Sequence, residues 1–207
     1  MEKTKISTLL EELLKADKDQ YDFVDIVDLD SALTRHLHLG DISTDVGDSM
    51  DSYIRFFNRM DDEENIPIEE REPIKIFIDS GGGDVMATFT IIDAIKLSKT
   101  PVWTINIGTA YSGGFFIFLA GHKRFAYKNS SFLFHEGSTG SSGDAHKFNN
   151  WADFYKKILK KLKTHTLENS KITDEEYEEH SKDDWWFTAE EALKYGIFDK
   201  ILTEMIV

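Results

Sequence analysis

Cysteine is absent from the 207 residues. That excludes a disulfide framework and thiolate metal sites, and no metal or cofactor site is expected. No apolar run reaches the length of about 18 residues that a membrane-spanning helix needs. The most apolar stretch, "FFIFLAG", is far too short, so no membrane partner is expected. The opening residues "MEKTKISTLLEELLKADKDQ" lack the apolar segment of a secretory signal, and a cytoplasmic location is the default expectation. Positive charge is also scarce. Lys and Arg number 24 against 38 Asp and Glu, for a net charge of -14. Such a surface repels phosphate backbones, so nucleic acid is excluded as an expected partner. There is no internal repeat and no low-complexity tract. What remains is 41% hydrophobic and 13% aromatic, enough for one domain with a real core and short for two.

From Pro73 onward the pattern alternates. "IKIFID" reads as a strand, "SGGG" as a sharp turn and "DVMATFTIIDAIKLSK" as a helix. "VWTINI" is a second strand, followed by "GTAYSGG" and a helix "FFIFLAG"; "KRFAY", "SFLFHE" and a final "IFDKIL" are further strands. Strands alternating with helices predict an α/β fold with parallel pairing. Upstream, "TRHLHLGDI" alternates like a strand. "DVGDSMDSYIRFFNRMDDEE" places Met50, Tyr53, Ile54 and Phe57 on one helical face. Residues 7–16 form a short amphipathic helix candidate. Phe23, Ile26 and Leu29 suit an arm packed against a neighbour. Residues 1–33 are therefore expected to be a divergent N-terminal arm, and 34–207 a single domain. Downstream, "GSTGSSG" at 137–143 suits a loop or a flexible edge strand. A long helix spans 144–168, with Phe148, Trp151, Phe154, Tyr155, Ile158, Leu159 and Leu162 as its apolar side. "TDEEYEEHSK" is a short acidic helix. "TAEEALKYG" is another, opened by a Thr188/Glu191 capping box and closed by Gly196.

Three places could carry chemistry. Ser112 lies between Tyr111 and the pair Gly113–Gly114, in a small-residue turn from strand to helix. It is either a small residue at a tight helix start or a nucleophile presented by an elbow, with helix N–H groups aimed at a reacting carbonyl. His135 follows Phe134 at a strand end. It is either a half-buried histidine bonded to backbone or a general base with a pKa near neutrality. "SGGGDV" could cradle a phosphate at a helix N-terminus, but it lacks both GK[ST] and GxGxxG. Its other use is an oxyanion hole, with the N–H groups of Gly83 and Gly113 facing one oxygen. Acids are too numerous for composition to choose a third member. Asp183 and Asp184 stand just before "WWFTAEEALKYG" and could orient the histidine, or be solvated turn charges.

Together these segments resemble the ClpP-type serine peptidases, the proteolytic subunits of the Clp protease, which have a crotonase-like fold. The resemblance runs over residues 73–203. It rests on "IKIFIDSGGGDV", "TINIGTAYSGGFFIFLAG", "KNSSFLFHEG" and "DDWWFTAEEALKYGIFDKIL", in the family's order. It implies repeated ββα units with a long protruding handle helix (handle region about 137–168). It further implies acyl transfer by Ser112, His135 and Asp184, an oxyanion hole at Gly83 and Gly113, and substrate binding at Gly82, Glu136 and Gly137. Peptides or unfolded proteins would be hydrolysed inside a homo-oligomeric chamber of stacked heptameric rings, with an AAA+ unfoldase as a further partner. The sequence departs from the family pattern at Gly81, where proline is usual, at Gly113, where methionine is usual, and at Glu136–Gly137, where glutamine and proline are usual. Alternatives are a signal-peptide-peptidase-like or phage maturation enzyme working without an ATPase, the former with a lysine base from Lys156, Lys157, Lys160 or Lys161. A non-catalytic paralogue and an acyl-CoA enzyme of the same fold complete the set.

Overall fold

Six of the seven residues in the run Ile74–Ser80 that precedes the glycine turn are buried, and they form the spine of a mostly parallel sheet. Strand β2 (Ile74–Ser80) is buried at every position except Asp79, as expected of a strand covered on both faces. Strand β1 (His36–Leu39) lies parallel to it on one side and β3 (Val102–Tyr111) on the other. The computed structural model describes residues 34–137, 140 and 144–206. The expected helix at 7–16, the arm, and most of "GSTGSSG" lie outside the described residues.

Beyond β3 the sheet divides. The first half of β3, Trp103 to Asn106, pairs parallel with β4 (Lys123–Ala126), which pairs in turn with β7 (Lys200–Ile201). Its second half, Thr109 to Tyr111, pairs parallel with β5 (Ser131–Phe134). Asn106 sits at the fork, fully buried, and donates from Nδ2 to the Ser131 carbonyl at 2.9 Å. Asp79 holds the far half of β3 by accepting from both the N–H and the hydroxyl of Thr109, each at 2.9 Å.

The strand read as "VWTINI" therefore continues through "GTAY" to Tyr111, and the last strand shrinks to two residues. A strand unforeseen in the sequence, β6 (Trp185–Thr188), pairs antiparallel with β5. The strand before His135 stops one residue short of it, at Phe134.

Among the described residues six α-helices accompany the sheet: α1 (Thr44–Glu63), α2 (Val85–Leu97), α3 (Gly113–Ala120), α4 (Ala145–Glu168), α5 (Asp174–His180) and α6 (Ala189–Lys194). Every residue of α3 is buried, which suits a helix that is apolar all round. Around it Phe115, Phe116, Phe118, Phe132, Phe134, Phe187 and Phe198 form a continuous aromatic core. The Thr188/Glu191 capping box forms as read, and α5 carries a second one from Thr173 and Glu176. The start of β1 is tied down by a buried ion pair. Arg35 donates to both Asp61 oxygens at 2.6 and 2.9 Å, and Thr100 donates to the same carboxylate at 2.6 Å.

The buried residues of the long helix α4 all lie in its second half. Ile158, Leu162 and Thr166 are buried, and the His165 ring meets the Phe116 carbonyl at 2.9 Å. Its first half leaves Phe148 and Phe154 about half exposed, at 50% and 52%. Trp151 and Tyr155 stack on each other at 5.0 Å. The seven apolar residues read as one packed side thus divide into a docked part and an uncovered part.

Candidate active site

Strand β3 delivers Ser112 directly onto the N-terminus of α3. The serine takes φ 52° and ψ −119°, a conformation that side-chain-bearing residues rarely adopt. Its backbone is fixed from both sides. The Ser112 N–H donates to the Leu133 carbonyl on β5 at 2.9 Å, and its own carbonyl accepts from Phe115 at 3.0 Å. Positive φ at a serine between a strand and a buried helix is the strained turn that exposes a hydroxyl at the end of a sheet.

The register of the β5–β6 ladder supplies the next pair. Phe134 stands opposite Trp185, so the two residues just beyond the ladder, His135 and Asp184, are brought side by side. His135 Nδ1 lies 3.3 Å from Asp184 Oδ1. Asp183 is exposed and makes no ion pair with His135 among the described residues; its backbone N–H donates to the His180 carbonyl at 3.2 Å.

Ser112 and His135 line a common cavity of about 350 Å³, together with Gly83, Gly113, Glu136 and Gly137. No direct hydrogen bond joins Ser112 to His135 among the described residues. Of the four lysines considered as a base, none lines this cavity among the described residues. Lys156 pairs with Asp153 at 3.0 Å and Lys161 lies over the Phe89 ring.

The glycine turn packs against the serine. Gly83 has φ +151°, and a Cβ built there would fall 2.0 Å from the Ile42 carbonyl oxygen. Ile42 bridges the turn by donating its N–H to Gly82 O at 2.8 Å and accepting from Asp84 N–H at 2.9 Å. The N–H groups of Gly83 and Gly113 are given no protein acceptor among the described residues, and both residues border the cavity. Gly82 stands apart from the other predicted substrate residues. It lies behind the serine rather than on the cavity wall, where a Cβ would fall 2.7 Å from Ser112 Cβ, and its carbonyl is taken by Ile42.

Residues not singled out as site residues complete the walls: Asp84, Val85, Thr88, Phe116, Tyr155 and Leu162. Tyr155 and Leu162 belong to the apolar stripe of α4, where nothing local distinguishes a cavity wall from a core contact. Glu136 is held from two helices. Tyr155 donates its hydroxyl to the Glu136 carbonyl at 3.1 Å, and Tyr177 donates to its carboxylate at 3.4 Å. Burial pushes the Glu136 carboxyl above its ordinary value, although the Tyr177 bond pulls the other way. Burial also raises Tyr177, reinforced by the adjacent Glu136 charge.

A strained serine at a helix N-terminus, with a histidine on the same cavity and an aspartate beside that histidine, is the arrangement of a serine-class hydrolase. Comparison with known proteins narrows the class. The family model described as Clp protease matches residues 66–205. Two relatives are named ATP-dependent Clp protease proteolytic subunit 2. The one from Treponema pallidum (strain Nichols) is 33% identical over 133 residues, covering 63% of this chain and 67% of that protein. The one from Treponema denticola is 35% identical over 132 residues, covering 63% of this chain and 66% of that protein. The chain thus spans about two thirds of the length of these curated relatives. It belongs to the Clp protease family, as a divergent ClpP-type member of the serine peptidase class.

Proposed function

We propose that the protein is an endopeptidase in which Ser112 attacks the peptide carbonyl, His135 serves as base and then acid, and Asp184 orients the imidazole. The observation that carries this reading is the meeting of the strained Ser112 elbow and His135 on one cavity, with Asp184 3.3 Å from the imidazole. In this mechanism Asp184 accepts from Nδ1–H and leaves Nε2 unprotonated to take the Ser112 hydroxyl proton. The Ser112 Oγ–carbonyl bond forms, and the oxyanion is met by the N–H groups of Gly83 and Gly113 at the start of α3. Collapse breaks the C–N bond, and the leaving amine takes the proton from Nε2. Water, deprotonated by the same nitrogen, then hydrolyses the acyl-enzyme.

Residues 34–207 would act as one peptidase domain within an oligomeric chamber. The exposed Phe148 and Phe154 on the first half of α4 support that assembly, because a second copy would remove them from water. Coupling to an ATP-driven unfoldase belongs to the same proposal; a peptidase acting without one is the alternative. A serine-directed fluorophosphonate tests the catalytic reading. Wild type should be labelled on Ser112, and Ser112→Ala should be neither labelled nor active while remaining folded. Equal labelling of the variant refutes it.

A further inference from the structure

The cavity wall beside the proposed nucleophile carries charge of one sign. Two carboxylate residues, Asp84 and Glu136, line it, and no lysine or arginine does so among the described residues. Asp84 is exposed and is already engaged as the cap of α2, accepting from the Ala87 N–H at 2.8 Å. Glu136 is different. It is partly buried between α4 and α5, and it follows the proposed base directly in sequence. Its Oε1 accepts the single bond from Tyr177, while Oε2 has no hydrogen-bond partner among the described residues. The nearest cation, Lys163, is committed elsewhere. It pairs with Asp174 at 2.8 Å and with Glu178, and it lies over the Tyr177 ring. The remaining walls from Val85, Phe116 and Leu162 are apolar and suit an aliphatic stem.

We infer that this cavity receives the side chain of the residue whose carbonyl is attacked (P1), and that Glu136 selects lysine or arginine there. The inference rests on the peptidase reading above. A basic P1 residue would lay its methylene stem along Phe116 and Leu162 and place its cationic head on the open Glu136 oxygen. An aliphatic P1 residue would cover the same carboxylate without pairing it, and an acidic one would be repelled. Tyr155 and Lys163 on α4, Tyr177 and Glu178 on α5, and His135 next to it in the chain are the other titratable groups around this carboxylate. None of them supplies a free cation to the cavity.

The test uses the full chain and fluorogenic peptides that differ only at P1: lysine, arginine, leucine or glutamate. For wild type, kcat/KM for lysine and arginine should exceed that for leucine by about tenfold or more, with glutamate lowest. Glu136→Gln should bring the lysine-to-leucine ratio to within about twofold of unity, and Glu136→Asp should keep it on the basic side. Fluorophosphonate labelling of Ser112 in each variant separates an altered subsite from a collapsed one. If Glu136→Gln fails to label, the wild-type and Glu136→Asp ratios decide. A labelled wild type that prefers leucine overturns this inference alone. So does a labelled Glu136→Gln that keeps the wild-type ratio. Absence of Ser112 labelling in wild type overturns the peptidase reading, and this inference with it.

Discussion

Replacing Gly83 by alanine should unseat both the fold of the glycine turn and the proposed oxyanion site. The added methyl would lie 2.0 Å from the Ile42 carbonyl oxygen, 2.8 Å from its carbon and 2.9 Å from its nitrogen. All three are backbone atoms, so no rotamer change relieves the overlap. The φ of +151° also disfavours any side chain, at a cost on the order of 1–3 kcal/mol. Moving the turn away from Ile42 breaks its bridges to Gly82 and Asp84, now at 2.8 and 2.9 Å. Each is worth about 1 kcal/mol. The sum is roughly 3–5 kcal/mol, a large part of the ~5–15 kcal/mol that holds a typical domain folded. At about 2–4 °C per kcal/mol for a chain of this size, melting should fall by roughly 6–20 °C. The Gly83 N–H would move with the turn, and loss of one oxyanion donor lowers turnover by about 10²–10³-fold. Gly40→Ala is the control, since a Cβ there meets nothing within 4 Å, and it should change stability by less than about 0.5 kcal/mol. Thermal melting and the rate of fluorophosphonate labelling read the two effects separately. A Gly83→Ala protein that melts within about a degree of wild type would refute the reasoning.

Asp184→Asn should lower peptide turnover by orders of magnitude, whereas Asp183→Asn should leave it within severalfold, since only Asp184 faces His135; the reverse ranking in steady-state kinetics would overturn the pairing. Asp61→Ala strands Arg35 in a buried site and should cost about 3–5 kcal/mol in chemical denaturation, with Asp61→Asn costing less because one oxygen acceptor remains. The P1 lysine-to-leucine ratio should fall as pH is lowered. Burial raises the Glu136 carboxyl, so it is neutral below that raised value and charged above it, and any effect common to both substrates cancels in the ratio. A ratio that is flat across the carboxylate range would count against Glu136 as the selector.

Much of the fold was legible because local signals agreed. The apolar run of β2 ends in a glycine turn, and α2 starts at once behind its Asp84 cap. The Thr188/Glu191 box marks the start of α6 from four residues alone. β6 was not legible. "WWFT" runs straight into that capping box, and four residues are too few for an alternating pattern to declare itself. Its partner, β5, lies more than fifty residues earlier, so only the ladder itself identifies it. The extension of β3 was hidden for another reason. "GTAY" is rich in small residues that weaken a strand signal, yet Asp79 and β5 hold it extended.

The chemistry of the site follows from that missed strand as much as from the serine. β3 divides its partners, and its far half runs beside β5, so Ser112 leaves the sheet where His135 follows β5. β6 then runs back along β5 and carries Asp184 to its near end. Two registers, Tyr111 opposite Leu133 and Phe134 opposite Trp185, bring Ser112 and His135 to one cavity and set Asp184 beside His135, across a span of more than seventy positions in the chain. A slip of one residue in the second ladder would put Asp183 or Trp185 beside the histidine. It would also turn buried Phe187 toward water and exposed Trp186 into the core, because side chains alternate along a strand. Burial of Phe187 against Phe115 and Tyr195 therefore sets the register that pairs Asp184 with His135. The aromatic core is what sets Asp184 beside His135, although the rings act through the strand register and not through a hydrogen bond to the carboxylate.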